Sequence, residues 1–241
     1  MSEKEQQRIH GRSDKETRVQ EIFSEIAPRY DLLNHLLSAN IDRIWRKKAV
    51  RALEWKENSS GHYLDSCAGT FDLGLELVRQ GEFSGVVISS DFALPMLKKG
   101  LDKITEGILP VCGDALQMPF SAQSFDGAMV GFGIRNLADL DTGFRELARV
   151  LRPGAKLVIL EFSVPPNRLL RRFYQFYFHK ILPVIGRILS GHTWAYTYLP
   201  ESVKDFPGPQ EVKDRLLRAG FQGVVWRFLT GGMVTIHVAV R

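Results

Sequence analysis

The sequence predicts an α/β fold on a mostly parallel seven-stranded sheet, with one antiparallel strand near an edge and a helical cover. Three observations predict it. Short apolar runs alternate with segments of helical period between residues 62 and 162. Those runs are apolar almost throughout, as in strands covered on both faces. The last two runs, 223–229 and 234–240, are joined only by Thr230, Gly231 and Gly232, so they should pair as an antiparallel hairpin.

The chain has 241 residues, 44% of them hydrophobic, enough for one large domain with a sizeable core. Residues 1–16 are polar, carry both charge signs and are expected to be a disordered tail. They resemble neither a signal peptide nor a membrane span, and no later apolar run reaches bilayer length. Residues 17–241 then form a single domain. Its first part, 17–55, is a helical cover, and 165–206 is a helical insert. Cys67 and Cys112 rule out a disulfide framework and have no metal-ligand spacing near them. Reduced thiols point to a cytoplasmic setting. A net charge of +5 favours anionic partners without choosing among nucleic acid, anionic lipid and phosphorylated small molecules.

The cover opens with Val19, Ile22, Phe23 and Ile26 at helical spacing, limited by Pro28. Residues 29–50 read as two helices broken near 38–40, with Asp42 as N-cap of the second. The first strand is 62–65, after which Ala68 and Gly69 allow a tight turn. A helix follows from Asp72, whose carboxylate is placed to cap its first turn. Strands at 86–90, 109–112, 125–130 and 156–162 continue the pattern. Helices at 94–102 and 139–151 lie between them, the second terminated by Pro153-Gly154. The insert is aromatic and basic, with Arg168, Arg171, Arg172 and Lys180 among its charges. A last helix, 210–219, stops at Gly220.

Asp65 and Gly69 follow the first strand, Asp91 the second, and Asp114 and Ala115 the third. In such a sheet the ligand crevice lies at the strand C-termini. Asp91 comes 26 residues after Asp65, near the offset where nucleotide-binding folds place a ribose acceptor. Its carboxylate can accept from both ribose hydroxyls. Asp114 suits an exocyclic adenine amine, and the Ala115 N–H a ring nitrogen. Each Asp taken alone is better explained by a turn or cap. Three at successive strand ends favour adenosine. A dinucleotide needs glycines against its pyrophosphate, but Thr70 and Phe71 follow Gly69 here, and no Gly-Lys-Ser/Thr follows. S-adenosylmethionine needs only one close glycine, so methyl transfer is favoured over hydride transfer.

YDLLNHLLSANIDRIW, LDSCAGTFD, GDALQMPF, FGIRN and RVLRPGAKLVILEFS together resemble the ubiquinone/menaquinone-biosynthesis C-methyltransferase family, from about Val19 to the C-terminus. The resemblance implies a class I, Rossmann-like S-adenosylmethionine-dependent methyltransferase acting on a polyprenylated quinol, most simply demethylmenaquinol. The ubiquinone-pathway benzoquinol and other small molecules remain alternatives, as does a non-catalytic binding role. The resemblance also implies that Thr70, Asp91, Asp114 and Ala115 contact the cofactor. Four positions depart from the family pattern. Phe71 replaces a glycine, Asp42 a histidine, Gly131 a serine and Ala155 a glycine. Phe71 puts a bulky side chain where the backbone is expected to approach the methionine moiety.

A quinol carbon beside an ionised hydroxyl is a good nucleophile, so the protein must chiefly align the reactants, exclude water and stabilise an oxyanion. Arg135 is the candidate for the oxyanion and Asn136 for orienting substrate or water. A loop salt bridge and a turn asparagine explain them nearly as well. Tyr30, with Asp31 and Asn34, is a candidate to close the site from the cover, although ordinary helix packing is the stronger explanation of Tyr30. Glu161 is a weaker candidate acid or base. The insert suits a substrate resident in a bilayer, its aromatics lining an apolar pocket and its cations facing anionic headgroups at the inner face of a cytoplasmic membrane. Core packing explains it about as well. No nucleic-acid module is recognisable. No metal is expected, and a homo-oligomer is left open.

Overall fold

The structure, a computed structural model, describes residues 40–177 and 194–241, together with Val19, Phe23, Ser24, Ala27 and Ser38; of 194–197 only the backbone is described. Most of the expected cover before Asn40, including Tyr30, Asp31 and Asn34, lies outside the described residues. So does 178–193 of the insert.

Seven strands form one sheet: β1 His62–Ser66, β2 Val86–Asp91, β3 Ile108–Cys112, β4 Phe125–Gly131, β5 Leu151–Phe162, β6 Gln222–Leu229 and β7 Val234–Val240. Their order is β3-β2-β1-β4-β5-β7-β6. Pairs from β3 to β5 are parallel, and β7 runs antiparallel to both β5 and β6. The reversed strand is therefore one in from the edge, as the short 230–232 link requires.

The apolar runs make sense once both faces are seen. Tyr63, Met129, Val158 and Leu160 pack on one face. Their neighbours Leu64, Ala128, Val130, Leu157 and Ile159 pack on the other. Successive side chains of a strand point to opposite faces, so a strand covered twice must be apolar at every position. On the first face lie α1, Ile41–Ala52, with Trp45, Ala49 and Val50, and α2, Asp72–Val78, with Leu73, Leu75 and Leu77. A further helix, α3, Leu94–Gly100, follows β2. The second face is covered by α4, Leu140–Val150, through Phe144 and Leu147, and by α7, Pro209–Arg218, through Val212 and Leu216. The insert contributes α5, Arg168–Phe176, and α6, Trp194–Asp205.

Three local expectations are corrected. Asn40, in the left-handed region, holds the N-cap position of α1, and Asp42 lies within its first turn. The Asp42 carboxylate accepts from the Ser38 hydroxyl at 2.6 Å and pairs with Arg46, one helical turn on. Asp72 does not cap α2 either, because the N-cap residue is Phe71. Its carboxylate reaches outward to Lys103 at 2.7 Å and Arg46 at 3.3 Å. Pro153-Gly154 does not end α4. The chain leaves the helix at Leu151 with extended dihedrals, and β5 already contains the pair. A register shift opposite Phe125 and Gly127 absorbs the extra residues. Proline forces the residue before it into an extended conformation, which starts a strand as readily as it stops a helix.

Candidate functional site

The sheet reverses its order between β1 and β4, and a crevice opens there beyond the strand C-termini. It is a cavity lined by the segments that follow β1, β2, β3 and β4. Two of these segments touch. A Cβ on Gly133 would stand 2.3 Å from the Cβ of Cys67, so only glycine lets the loop after β4 pass the loop after β1. Cys67 itself holds a left-handed φ of 56°. Burial raises its thiol well above the usual cysteine range, so it lines the wall as a small neutral side chain.

Asp91 ends β2 and is buried on the cavity wall. Its Oδ2 accepts the Gly69 N–H at 2.8 Å, and its Oδ1 accepts the Ala93 N–H at 2.8 Å. Burial raises its carboxyl above the usual carboxylate range, and the two backbone hydrogen bonds oppose that. Each oxygen keeps a second lone pair for a ligand hydroxyl. The same carboxylate fixes the turn, since Gly69 sits at φ 56° with its N–H committed to Asp91. Asp114 lies exposed on the rim, with Oδ1 taken by the Leu116 N–H at 2.8 Å, and Ala115 lines the wall beside it. Phe92, Met96 and Leu137 supply apolar surface between these polar ends.

Asp65 and Thr70 do not line the cavity; both are buried. Asp65 Oδ2 accepts the Gly74 N–H at 2.9 Å, meeting one of the unsatisfied donors in the first turn of α2. Its pKa is pushed up to about 7, first by burial and then by the charges of Asp91 and Asp72. A Cβ on Gly74 would come within 3.1 Å of that oxygen and 3.0 Å of Ser89 Oγ, so the packing is close on every side. Asp65 thus secures the start of α2 behind the Gly69 turn. Phe71 corrects an expectation in the same way. It adopts a left-handed φ of 71°, but its ring is fully buried against α3 and does not line the cavity. A Cβ on Gly100 would stand 2.5 Å from that ring. A missing side chain in α3 makes room for the added one.

Arg135 and Asn136 occupy a 3-10 turn, Ile134–Asn136, after β4. The structure separates them. The Arg135 guanidinium turns inward and pairs with buried Glu161 at 2.9 Å, stands 5.5 Å over the Phe162 ring, and is absent from the cavity lining. Its backbone N–H also donates to Glu161, at 3.2 Å. Asn136 lines the cavity, and its Oδ1 accepts the Tyr198 hydroxyl from α6 at 3.0 Å. Sequence reasoning missed Cys67, Phe92, Met96, Leu137 and Tyr198. The first four sit within a few residues of a strand end already marked by a candidate. Tyr198 carries no such signal, because only the tertiary fold brings α6 to the turn.

The lining carries the kinds of group that S-adenosylmethionine requires: a buried acceptor, one close glycine, apolar side chains and a second, exposed carboxylate. Gly113, Gly131 and Gly133 also line it. Comparison with known proteins agrees. Residues 12–241 match the ubiE/COQ5 methyltransferase family. The chain is 42% identical to the ubiquinone/menaquinone biosynthesis C-methyltransferase UbiE of Geobacter sulfurreducens, covering 95% of this chain and 90% of that protein. It is 44% identical to the demethylmenaquinone methyltransferase of Thermus thermophilus, covering 91% and 100%. Among solved structures, a SAM-dependent methyltransferase of Thermotoga maritima, described as a possible histamine N-methyltransferase, superposes with a TM-score of 0.64 at 18% identity over 91% of this chain and 98% of that one. The [4+2]-cyclase SpnF superposes with a TM-score of 0.69 at 14% identity over 94% and 96%. At such identities the likeness is one of fold.

Proposed function

The chain belongs to the ubiE/COQ5 methyltransferase family, and from that premise we propose that its cavity serves C-methylation of a polyprenylated quinol, most simply demethylmenaquinol. The observation that carries this reading is the cavity wall itself. Asp91, anchored to the Gly69 turn, stands at one end, and Asn136 on the loop after β4 also faces the cavity. Asp91 would hold the ribose hydroxyls of S-adenosylmethionine, Asp114 and Ala115 the adenine edge, and the Gly69 turn the methionine end. When bound, this cofactor supplies a methyl group on a positively charged sulfur, already activated toward a carbon nucleophile.

The protein's own share is positioning and polarity. Phe92, Met96, Phe132 and Leu137 line the cavity with apolar surface, which keeps water from competing for the methyl group. A quinol hydroxyl that loses its proton raises the nucleophilicity of the adjacent ring carbon. Asn136 is the polar side chain on that part of the wall, and its amide can meet the hydroxyl oxygen. Arg135 contributes by anchoring: through Glu161 it fixes the turn that carries Asn136. The notion that Arg135 meets the oxyanion directly gives way to this supporting role.

The substrate's prenyl chain implies contact with a bilayer, and α5 is the surface suited to it. Leu169, Phe173 and Phe176 are 62%, 64% and 59% exposed, on a helix that also carries Arg168, Arg171 and Arg172. Among the described residues no helix is long and apolar enough to cross a membrane, so the association proposed is peripheral. The activity is tested by offering both reduced quinols, naphthoquinol and benzoquinol, with labelled S-adenosylmethionine and reading products by mass spectrometry. Methylated naphthoquinol is the expected product. Methylation of the benzoquinol alone would reassign the ring, and transfer to neither would overturn the reading.

A further inference from the structure

An asparagine amide is two-ended, with a carbonyl oxygen that accepts and an NH2 that donates, and which end faces a ligand decides what it can bind. In Asn136 the acceptor end faces Tyr198. The Tyr198 hydroxyl donates to Oδ1 at 3.0 Å, from an element far away in sequence. The backbone beneath the amide is fixed independently. The Asn136 N–H donates to Gly133 O at 3.1 Å, and Arg135 ties the turn to Glu161. Tyr198 lines a second cleft of about 450 Å3, which shares Leu137 and Ala138 with the wall of the first. With the hydroxyl as donor, Oδ1 faces Tyr198 and Nδ2 is the end left for a ligand.

We propose that Tyr198 is a positioning residue: its hydroxyl orients the Asn136 amide so that Nδ2, the donor end, meets the ring oxygen of the quinol. The inference rests on the reading that Asn136 faces that oxygen. A donor there stabilises the oxygen as its proton leaves. The opposite orientation would present a carbonyl oxygen, which repels the developing negative charge. Tyr198 does not line the first cavity, so its part is to hold the Asn136 amide with its donor end toward the ligand. That orientation then depends on how α6 is seated, since the helix contributes the hydroxyl.

A double-mutant cycle on the full chain tests this, using Tyr198→Phe, Asn136→Ala and the double variant. The readouts are kcat and KM for the reduced quinol, and S-adenosylmethionine affinity by calorimetry. Tyr198→Phe keeps the ring and deletes only the donor. It is expected to lower kcat about tenfold, the size of one lost orienting hydrogen bond, with cofactor affinity unchanged. In the Asn136→Ala background the same change should cost nothing further. Multiplying losses would overturn the proposal, because Tyr198 would then act through something other than the amide. A wild-type rate for Tyr198→Phe beside an impaired Asn136→Ala would also overturn it, while leaving the role of Asn136 standing. A wild-type rate for Asn136→Ala would remove both.

Discussion

Phe71 shows how a residue that breaks a local rule is accommodated by one in another element. Its left-handed backbone costs about 1–3 kcal/mol for a side chain of this kind. Full burial of the ring returns an amount of the same order. The place for that ring is the missing side chain of Gly100 in α3. Gly100→Ala should therefore destabilise the fold by about 1–3 kcal/mol through overpacking, and adding Phe71→Leu should recover part of the loss, as read by denaturant unfolding. Unchanged stability of Gly100→Ala would contradict the packing described. Asp65 makes a second prediction, on pH. Its folded-state pKa of about 7 lies above its ordinary value of 3.8, so the folded chain holds the proton more tightly. Its contribution to stability is thus full at low pH and declines as pH rises from about 4 to about 7. His237 opposes this. Burial lowers its pKa to about 4, so its contribution declines as pH falls from 6.5 to about 4. The two overlap, so the wild-type profile alone does not separate them. Asp65→Asn keeps an acceptor for the Gly74 N–H and removes the titration. Relative to wild type it should gain stability as pH rises from 5 to 8, measured by thermal unfolding.

At the scale of elements, the cavity is assembled from turns that hold one another. The Gly69 turn is tied to β2 through Asp91, and the loop after β4 is held to β5 by Arg135 and Glu161. Helix α1 is fastened on two sides. Trp45 donates to Thr230 Oγ1 at 2.7 Å, at the link between β6 and β7, and Arg46 reaches Asp72 at the start of α2. Helix α1, the start of α2 and the β6–β7 link are therefore tied together. Helix α5 faces outward instead. If it docks on a bilayer, replacing Leu169 and Phe173 by Asp should lower binding to anionic vesicles about tenfold or more in a flotation assay. Equal binding by the variant would remove α5 from the membrane contact.

For the molecule as a whole, sheet content and strand direction were legible because period and punctuation are local properties. Doubly apolar runs marked the buried strands, and the three residues 230–232 left no room for a parallel return. The place of Asp91 and Asp114 on the cavity wall was legible for the same reason, since a strand end fixes where its next residue emerges. What was not legible depended on partners distant in sequence. The ring of Phe71 needed Gly100, the guanidinium of Arg135 needed Glu161, and the amide of Asn136 needed Tyr198. Asp65 matched the strand-end rule but was drawn inward by the bare N–H of Gly74, which sequence spacing does not reveal.

The central claim is that the Asp91 wall of this cavity binds S-adenosylmethionine. Calorimetric titration of the cofactor into wild type and Asp91→Ala, with thermal unfolding as a check on folding, tests it directly. Saturable 1:1 binding is expected in the wild type and an affinity about 10- to 100-fold weaker in the variant, the loss expected for a charged acceptor of ribose hydroxyls. Equal affinities in two folded proteins, or no binding by the wild type, would contradict it.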